Sequence, residues 1–228
     1  MEQIPCINTI KNWDKIVGDC HANMAEPRNL KVVLVGPPGG GKSSMILSLT
    51  TNTFKDFHSP TEFENYTAKV DDAQQSYLLR WALQIYEVGL PFKYIFSLWD
   101  TGANSEVRKS IYSRADAVMI CFPVNHDTDL ISEVLKEFVE ESRNASKKIF
   151  LVGTKTELRN DTKDTIQFKR GRELSKELGV QGYFECSSKE DDGSVSEVFR
   201  KVAKVATEEP VRRRDLQGEI RWQDNRII

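Results

Sequence analysis

GPPGGGKS, residues 36–43, decides how this chain is read. It follows a short apolar run, KVVLV at 31–35, and precedes a segment of helical character, 42–51. The spacing fits GxxxxGK[ST], a pattern that carries weight only between a strand and a helix. Gly36, Gly39, Gly40 and Gly41 let the backbone curl so that successive N–H groups point into one concavity. The positive end of the following helix adds to it, and phosphate is the expected occupant. Lys42 is expected to reach the β- and γ-phosphates of a nucleotide and the Ser43 hydroxyl to bind Mg²⁺, with Ser44 next along the same turn. The motif alone does not separate adenine from guanine nucleotides.

Outward from the loop, apolar runs alternate with helix-like segments. Residues 31–35, 63–70, 94–99, 118–124, 149–152 and 183–186 read as strands. Residues 127–143, 166–178 and 193–206 carry helical periodicity and charge. Strands separated by helices imply βαβ units and a mostly parallel sheet covered on both faces. The hairpin-like neighbours are 63–70 and 94–99. Between them AQQSYLLRWALQIYEVGLP, an insertion at about 73–91, is too long for a tight turn. Its alternation of Leu79, Trp81, Leu83 and Ile85 fits a strand, and a short helix fits as well. In the N-terminal extension, 1–29, Ile7, Ile10, Trp13, Ile16 and Val17 recur at helical spacing; the expectation is a helix packed on the domain rather than a partner- or membrane-contacting arm. The tail, 208–228, holds Arg212, Arg213 and Arg214 and is expected to be loosely held and solvated.

The chain has 228 residues, 29% charged and 39% hydrophobic, enough for one globular domain with a real core. A net charge of −2 gives no reason to expect nucleic acid as a partner. Of the four cysteines, Cys121 and Cys186 fall in apolar runs and are expected to behave as small hydrophobes, while Cys6 and Cys20 lie near the start. A reducing, cytoplasmic setting is expected. The first residues, MEQIPCINTIKNWDK, lack the charged-then-apolar pattern of a secretory signal. The last, DNRII, carry no lipidation cysteine, which argues against membrane association.

Further motifs follow the loop in order: SPTEFENY at 59–66, LWDTGANSE at 98–106, LVGTKTELRND at 151–161 and YFECSSK at 183–189. Together they resemble the Rho branch of the Ras-like small GTPases, whose effector loop reads VPTVFENY and whose later elements read LWDTAGQE, LVGTKxDLRxD and ECSAK. The resemblance covers about residues 30–207. It implies a P-loop NTPase (Ras-like) α/β fold, a six-stranded mostly parallel sheet with helices on both faces, binding of GTP or GDP with Mg²⁺, and GTP hydrolysis. It implies effector partners through the loop around Thr61, with exchange factors and GTPase-activating proteins besides. Residue by residue, Phe54 would lean on the guanine face. Thr61 would coordinate Mg²⁺ and sense the γ-phosphate, and Asp100 would hold Mg²⁺ through water. Thr154 and Lys155 would line the base pocket, and Glu157 would stand where the family's Asp accepts the guanine N1 and N2 hydrogens. The Ser188 N–H would meet O6, with Ser187 beside it and Lys189 closing the loop.

The chain departs from the family where catalysis is concentrated. Asn104 stands at the catalytic Gln, with the same amide on a shorter arm, and catalysis in this class is largely positioning. Ala103 replaces the glycine whose N–H meets the γ-phosphate, and its Cβ restricts the backbone, although Gly102 lies next door. Pro38 removes one loop N–H, leaving those from Gly39 onward. Glu157 displaces its carboxylate by about 1.5 Å relative to Asp. The Rho-specific insert after LRND is shortened or missing, and His58 replaces a frequent Tyr as a solvated loop residue. The expected function is a GTP/GDP switch with impaired hydrolysis. The alternatives are a constitutively nucleotide-bound interaction module and an ATP-using P-loop enzyme, the latter disfavoured by TKTE and CSSK.

Overall fold

The computed structural model describes residues 27–54, 63–71, 92–101, 105–126, 128–143, 148–159, 165–190, 192–207, 211–214 and 220–223. The elements run β1 (Arg28–Val35), α1 (Lys42–Thr51), β2 (Phe63–Asp71), β3 (Phe92–Thr101), α2 (Ser105–Tyr112), β4 (Ala117–Pro123), α3 (Thr128–Arg143), β5 (Lys148–Thr154), α4 (Phe168–Glu177), β6 (Gly182–Glu185), α5 (Ser194–Thr207), β7 (Val211–Arg214) and β8 (Ile220–Gln223). Six strands form one sheet in the order β2-β3-β1-β4-β5-β6. Only β2 runs antiparallel, paired to β3 from Phe63↔Thr101 to Asp71↔Phe92. The Ras-like architecture expected from the motifs is therefore the one observed.

The near-continuous apolar runs follow from burial on both faces. Along β1, Val32 and Leu34 enter one core with Met45, Ile46, Val198 and Phe199 of α1 and α5. Val33 and Val35 enter the other, with Tyr112, Ile131, Leu135 and Leu174 of α2, α3 and α4. Met119 and Cys121 of β4 face the first core and Ile120 and Phe122 the second. Cys121 and Cys186 are buried free thiols, as their apolar surroundings suggested, and burial pushes the Cys121 thiol up to about 12. The β1 C-terminus lies between β3 and β4, so the loop after it opens at the carboxyl edge of the sheet, where open α/β sheets hold ligands.

Two elements differ from the sequence reading. Residues 105–112 form a helix that the periodicity did not single out, because eight residues give barely two turns of pattern. The tail, expected to be loose, carries an antiparallel hairpin with Arg212↔Trp222 and Arg214↔Ile220 in register. The expected N-terminal helix, Cys6, Cys20, His58 and the insertion at 73–91 lie outside the described residues.

A buried ion pair fastens α2 to α3. Arg108 Nε and Nη2 each donate to Glu141 at 3.0 Å, a two-pronged pair, and the guanidinium lies 4.9 Å from the Phe138 ring centroid. Tyr112 donates to the same carboxylate at 3.4 Å, and burial pushes its phenol up to about 12. Arg108 is 5% exposed, so breaking the pair strands Glu141 in a low-dielectric site. Arg108→Ala is expected to lower unfolding stability by about 3 kcal/mol, the cost of orphaning a buried charge. Urea denaturation measures it; a loss under about 1 kcal/mol would place the pair with exposed salt bridges.

Candidate functional site

β1 ends at Val35, and the chain reverses through Gly36 at φ 135, a conformation side chains rarely adopt. A Cβ on Gly36 would sit 2.1 Å from the Cys121 carbonyl oxygen, and one on Gly40 would sit 2.7 Å from the same atom. The loop thus lies directly on the backbone of β4. It closes with Gly40 N–H donating to Pro37 O at 3.1 Å, and Gly41, left-handed at φ 79, caps the start of α1. Gly39 and Pro38 form the exposed crown. The proline therefore removes an N–H from the rim and leaves the turn below it intact.

Lys42 curls back over this turn. Its Nζ donates to Gly36 O and Pro37 O, both at 3.0 Å. Burial lowers the ammonium below the usual lysine range, and the nearby Asp100 acts against that shift. Asp100, next to last in β3, has no solvent exposure, and the Ser43 hydroxyl donates to its Oδ2. A hydroxyl and a buried carboxylate side by side are hard oxygen donors, the kind that Mg²⁺ takes in one or two protein ligands beside phosphate and water. These residues fit that ion. Ser44 lies half-buried in the first turn of α1. The remaining residues expected here, Thr61, Gly102, Ala103 and Asn104, lie outside the described residues.

The second half of the site comes from β5 and β6, one and two strands beyond β4. Thr154 is the residue expected to line the base pocket beside Lys155. It is 2% exposed, and its hydroxyl donates to Gly40 O at 2.9 Å, with Phe122 O a second acceptor at 3.2 Å. The side chain is a brace between the phosphate loop and the base loop. Lys155 follows in a left-handed conformation, φ 58, and opens the single turn Thr156–Leu158 that carries Glu157. Glu157 Oε2 accepts the Ser187 hydroxyl at 2.6 Å. Ser187 is fully buried, and its hydroxyl ties the two loops together. Its Oγ also collects the N–H groups of Lys189 (3.2 Å) and Glu190 (3.0 Å), shaping the turn that presents Ser188. Phe54, just past α1, is 42% exposed and available to a planar group.

Behind this pocket stands a buttress the sequence gave no reason to assign. Arg159 Nη2 donates to Glu185 Oε1 at 2.6 Å, and the Tyr183 hydroxyl donates to the same oxygen at 2.5 Å. Burial, reinforced by Glu185, pushes the Tyr183 phenol far above its ordinary value. Tyr183 has room only because Gly171 of α4 lacks a Cβ, which would lie 2.1 Å from the ring. Arg159 and Glu185 are 26 residues apart, and only the parallel register of β5 and β6 joins them.

Comparison with known sequences bears on this arrangement. Residues 31–208 match the family model described as "Ras family". The chain is similar to the Rho-related GTP-binding protein RhoE of Homo sapiens and of Mus musculus. In both it is 30% identical over 185 residues, spanning 74% of this chain and 68% of the relative. The protein of the same name from Sus scrofa matches at the same identity and coverage.

Proposed function

The chain belongs to the Ras family, in its Rho-like branch, and on that premise we propose that it is a guanine-nucleotide switch with slow hydrolysis. The observation that supports the reading is the concavity of 36–41, with the Lys42 ammonium folded over it and the Ser43–Asp100 pair at its edge. Phosphate oxygens would take the place of the Gly36 and Pro37 carbonyls around Lys42. Ser43, Thr61 and Asp100 would hold Mg²⁺, which when bound supplies positive charge beside the β- and γ-phosphates. Lys155 would pack along the base, Glu157 would accept from its N1 edge, the Ser188 N–H would donate to O6, and Phe54 would close over the open face.

Water would attack the γ-phosphorus in line, with Lys42 and the loop amides stabilising the charge on the transferring group. Asn104, one methylene shorter than Gln, would orient that water poorly. The loop around Thr61, ordered by the γ-phosphate, would present the effector surface, in a cytoplasmic setting and with protein partners rather than nucleic acid. A second reading, a module that keeps GTP as a structural ligand, rests on Asn104 and Ala103 standing side by side.

Denaturing purified protein and chromatographing the released nucleotide separates these readings. Released GDP supports the switch and released GTP the module. Adenine nucleotide would remove both.

A further inference from the structure

Helix α2 begins immediately after Asn104, so a signal from the γ-phosphate end of the site would reach it first. It is held at three places. Arg108 makes its two-pronged pair with Glu141 of α3 and lies over the Phe138 ring. Tyr112, 1% exposed, donates to the same carboxylate, and with Ile111 it belongs to the core that α3 lines through Ile131, Leu135 and Phe138. Just past the helix, Asp116 is stapled to β1. Its N–H donates to Lys31 O at 2.7 Å, and its Oδ2 accepts the Lys31 N–H at 2.8 Å.

The strand before the helix is fixed as well. Thr101, the last residue of β3, is buried, and its hydroxyl donates to Leu34 O at 2.9 Å. Residues 102–104 therefore connect two anchored elements. A ligand moves an equilibrium only by the difference in its affinity for the two states. Undocking α2 would break the Arg108–Glu141 pair in a low-dielectric site, at a cost of about a hundredfold to several thousandfold in population. A hydrogen bond from one loop N–H to a charged phosphate oxygen contributes about ten- to a hundredfold. The clamp is the stronger of the two.

We infer that α2 stays docked on α3 whichever nucleotide is bound. The change between the two forms then stops at Asn104, and α2 presents one surface, including the exposed Glu106, Lys109 and Ser113, in both. A partner that reads this helix alone does not distinguish GTP from GDP, and discrimination falls to the loop around Thr61. The inference rests on the guanine-nucleotide switch reading above and sets how far its signal travels.

The test is hydrogen–deuterium exchange on the full-length protein, loaded with GDP or with a non-hydrolysable GTP analogue. Loading is checked first by chromatography of the released nucleotide. The α2 amides are followed against those of β4, a fully buried strand that reports opening of the whole fold. Relative exchange of α2 is expected to agree within about threefold between the two forms. A larger difference overturns the inference and leaves the switch reading intact. Failure to load either nucleotide overturns the switch reading and the inference with it. Glu141→Gln removes the charge that Arg108 pairs with and is expected to speed α2 exchange by about tenfold or more relative to β4. If that variant does not fold, Arg108→Lys, which keeps the charge and loses the two-pronged bond, is expected to do the same. A smaller rise in the variant that folds overturns the role of the clamp.

Discussion

Lys42→Ala is expected to abolish tight nucleotide binding. In the structure this side chain already satisfies two loop carbonyls, Gly36 O and Pro37 O, and its ammonium is held in a partly desolvated position. A cation kept in low dielectric interacts more strongly with an incoming anion than one in water. Alanine removes that cation and leaves the loop N–H groups to face polyphosphate alone. Contacts between charged groups contribute about 1.5–3 kcal/mol each, so losing those to two phosphates costs about 3–6 kcal/mol, a hundredfold to more than ten-thousandfold in affinity. Alanine is also the best helix former, so the first turn of α1 keeps its propensity. Equilibrium binding of fluorescent GDP and GTP measures the effect, with thermal unfolding as the control for folding. Unchanged affinity in a folded variant would remove the phosphate-site reading of 36–43.

Turnover carries the second large effect. Wild-type protein preloaded with GTP is expected to release phosphate in a single turnover far more slowly than a small GTPase with Gln at this position. The double variant Asn104→Gln with Ala103→Gly should be faster by about tenfold or more, each factor of ten representing about 1.4 kcal/mol off the barrier. The longer amide brings the attacking water into line, and the glycine restores freedom to the backbone N–H that meets the γ-phosphate. An activating protein that inserts an arginine should stimulate wild type little, since much of its effect comes through fixing the Gln. Wild type that hydrolyses rapidly, with no gain on repair, would show that another residue positions the water, and the locked-module reading would fall with it.

The phosphate end of the site was legible in the sequence because its chemistry depends on spacing along one continuous loop. GPPGGGKS between a strand and a helix leaves few other uses for Lys42 and Ser43, and the structure brings Ser43 to Asp100 as the separate LWDTG motif implied. The base end was less legible, because its geometry depends on which way side chains face. Thr154 lies in the right motif yet turns inward onto Gly40, a contact across 114 residues that no spacing reveals. Ser187, grouped with the base-binding residues, is fully buried, and its bonds to Glu157 and to the Lys189 and Glu190 N–H groups could not be read from the motif. The Arg159–Glu185–Tyr183 buttress arises only from the register of β5 against β6. Helix α2 escaped notice because a short charged stretch has little periodicity, even though its Arg108 is among the most deeply buried charges. Sheet order followed from the family resemblance and not from the strands themselves, whose apolar runs are interchangeable as far as pairing is concerned.

The hydroxyl of Thr154, lodged against the Gly40 carbonyl, fixes the distance between the two ends of the cleft. On the proposed guanine-nucleotide reading, that would make the site a chelator. Once one end of a nucleotide is caught, the other end meets its receptor at a high effective concentration set by a rigid spacer instead of by diffusion. The two halves of the ligand therefore bind far more tightly joined than as separate nucleoside and pyrophosphate, because only one loss of translational freedom is incurred for both. Release inherits the same logic in reverse. On the proposed nucleotide-binding reading, a ligand that lets go at one end would be recaptured before it leaves, so spontaneous escape is expected to be slow. A factor that hastens it has only to spoil the spacing, by shifting the 36–41 loop against β5, and need not compete for either end.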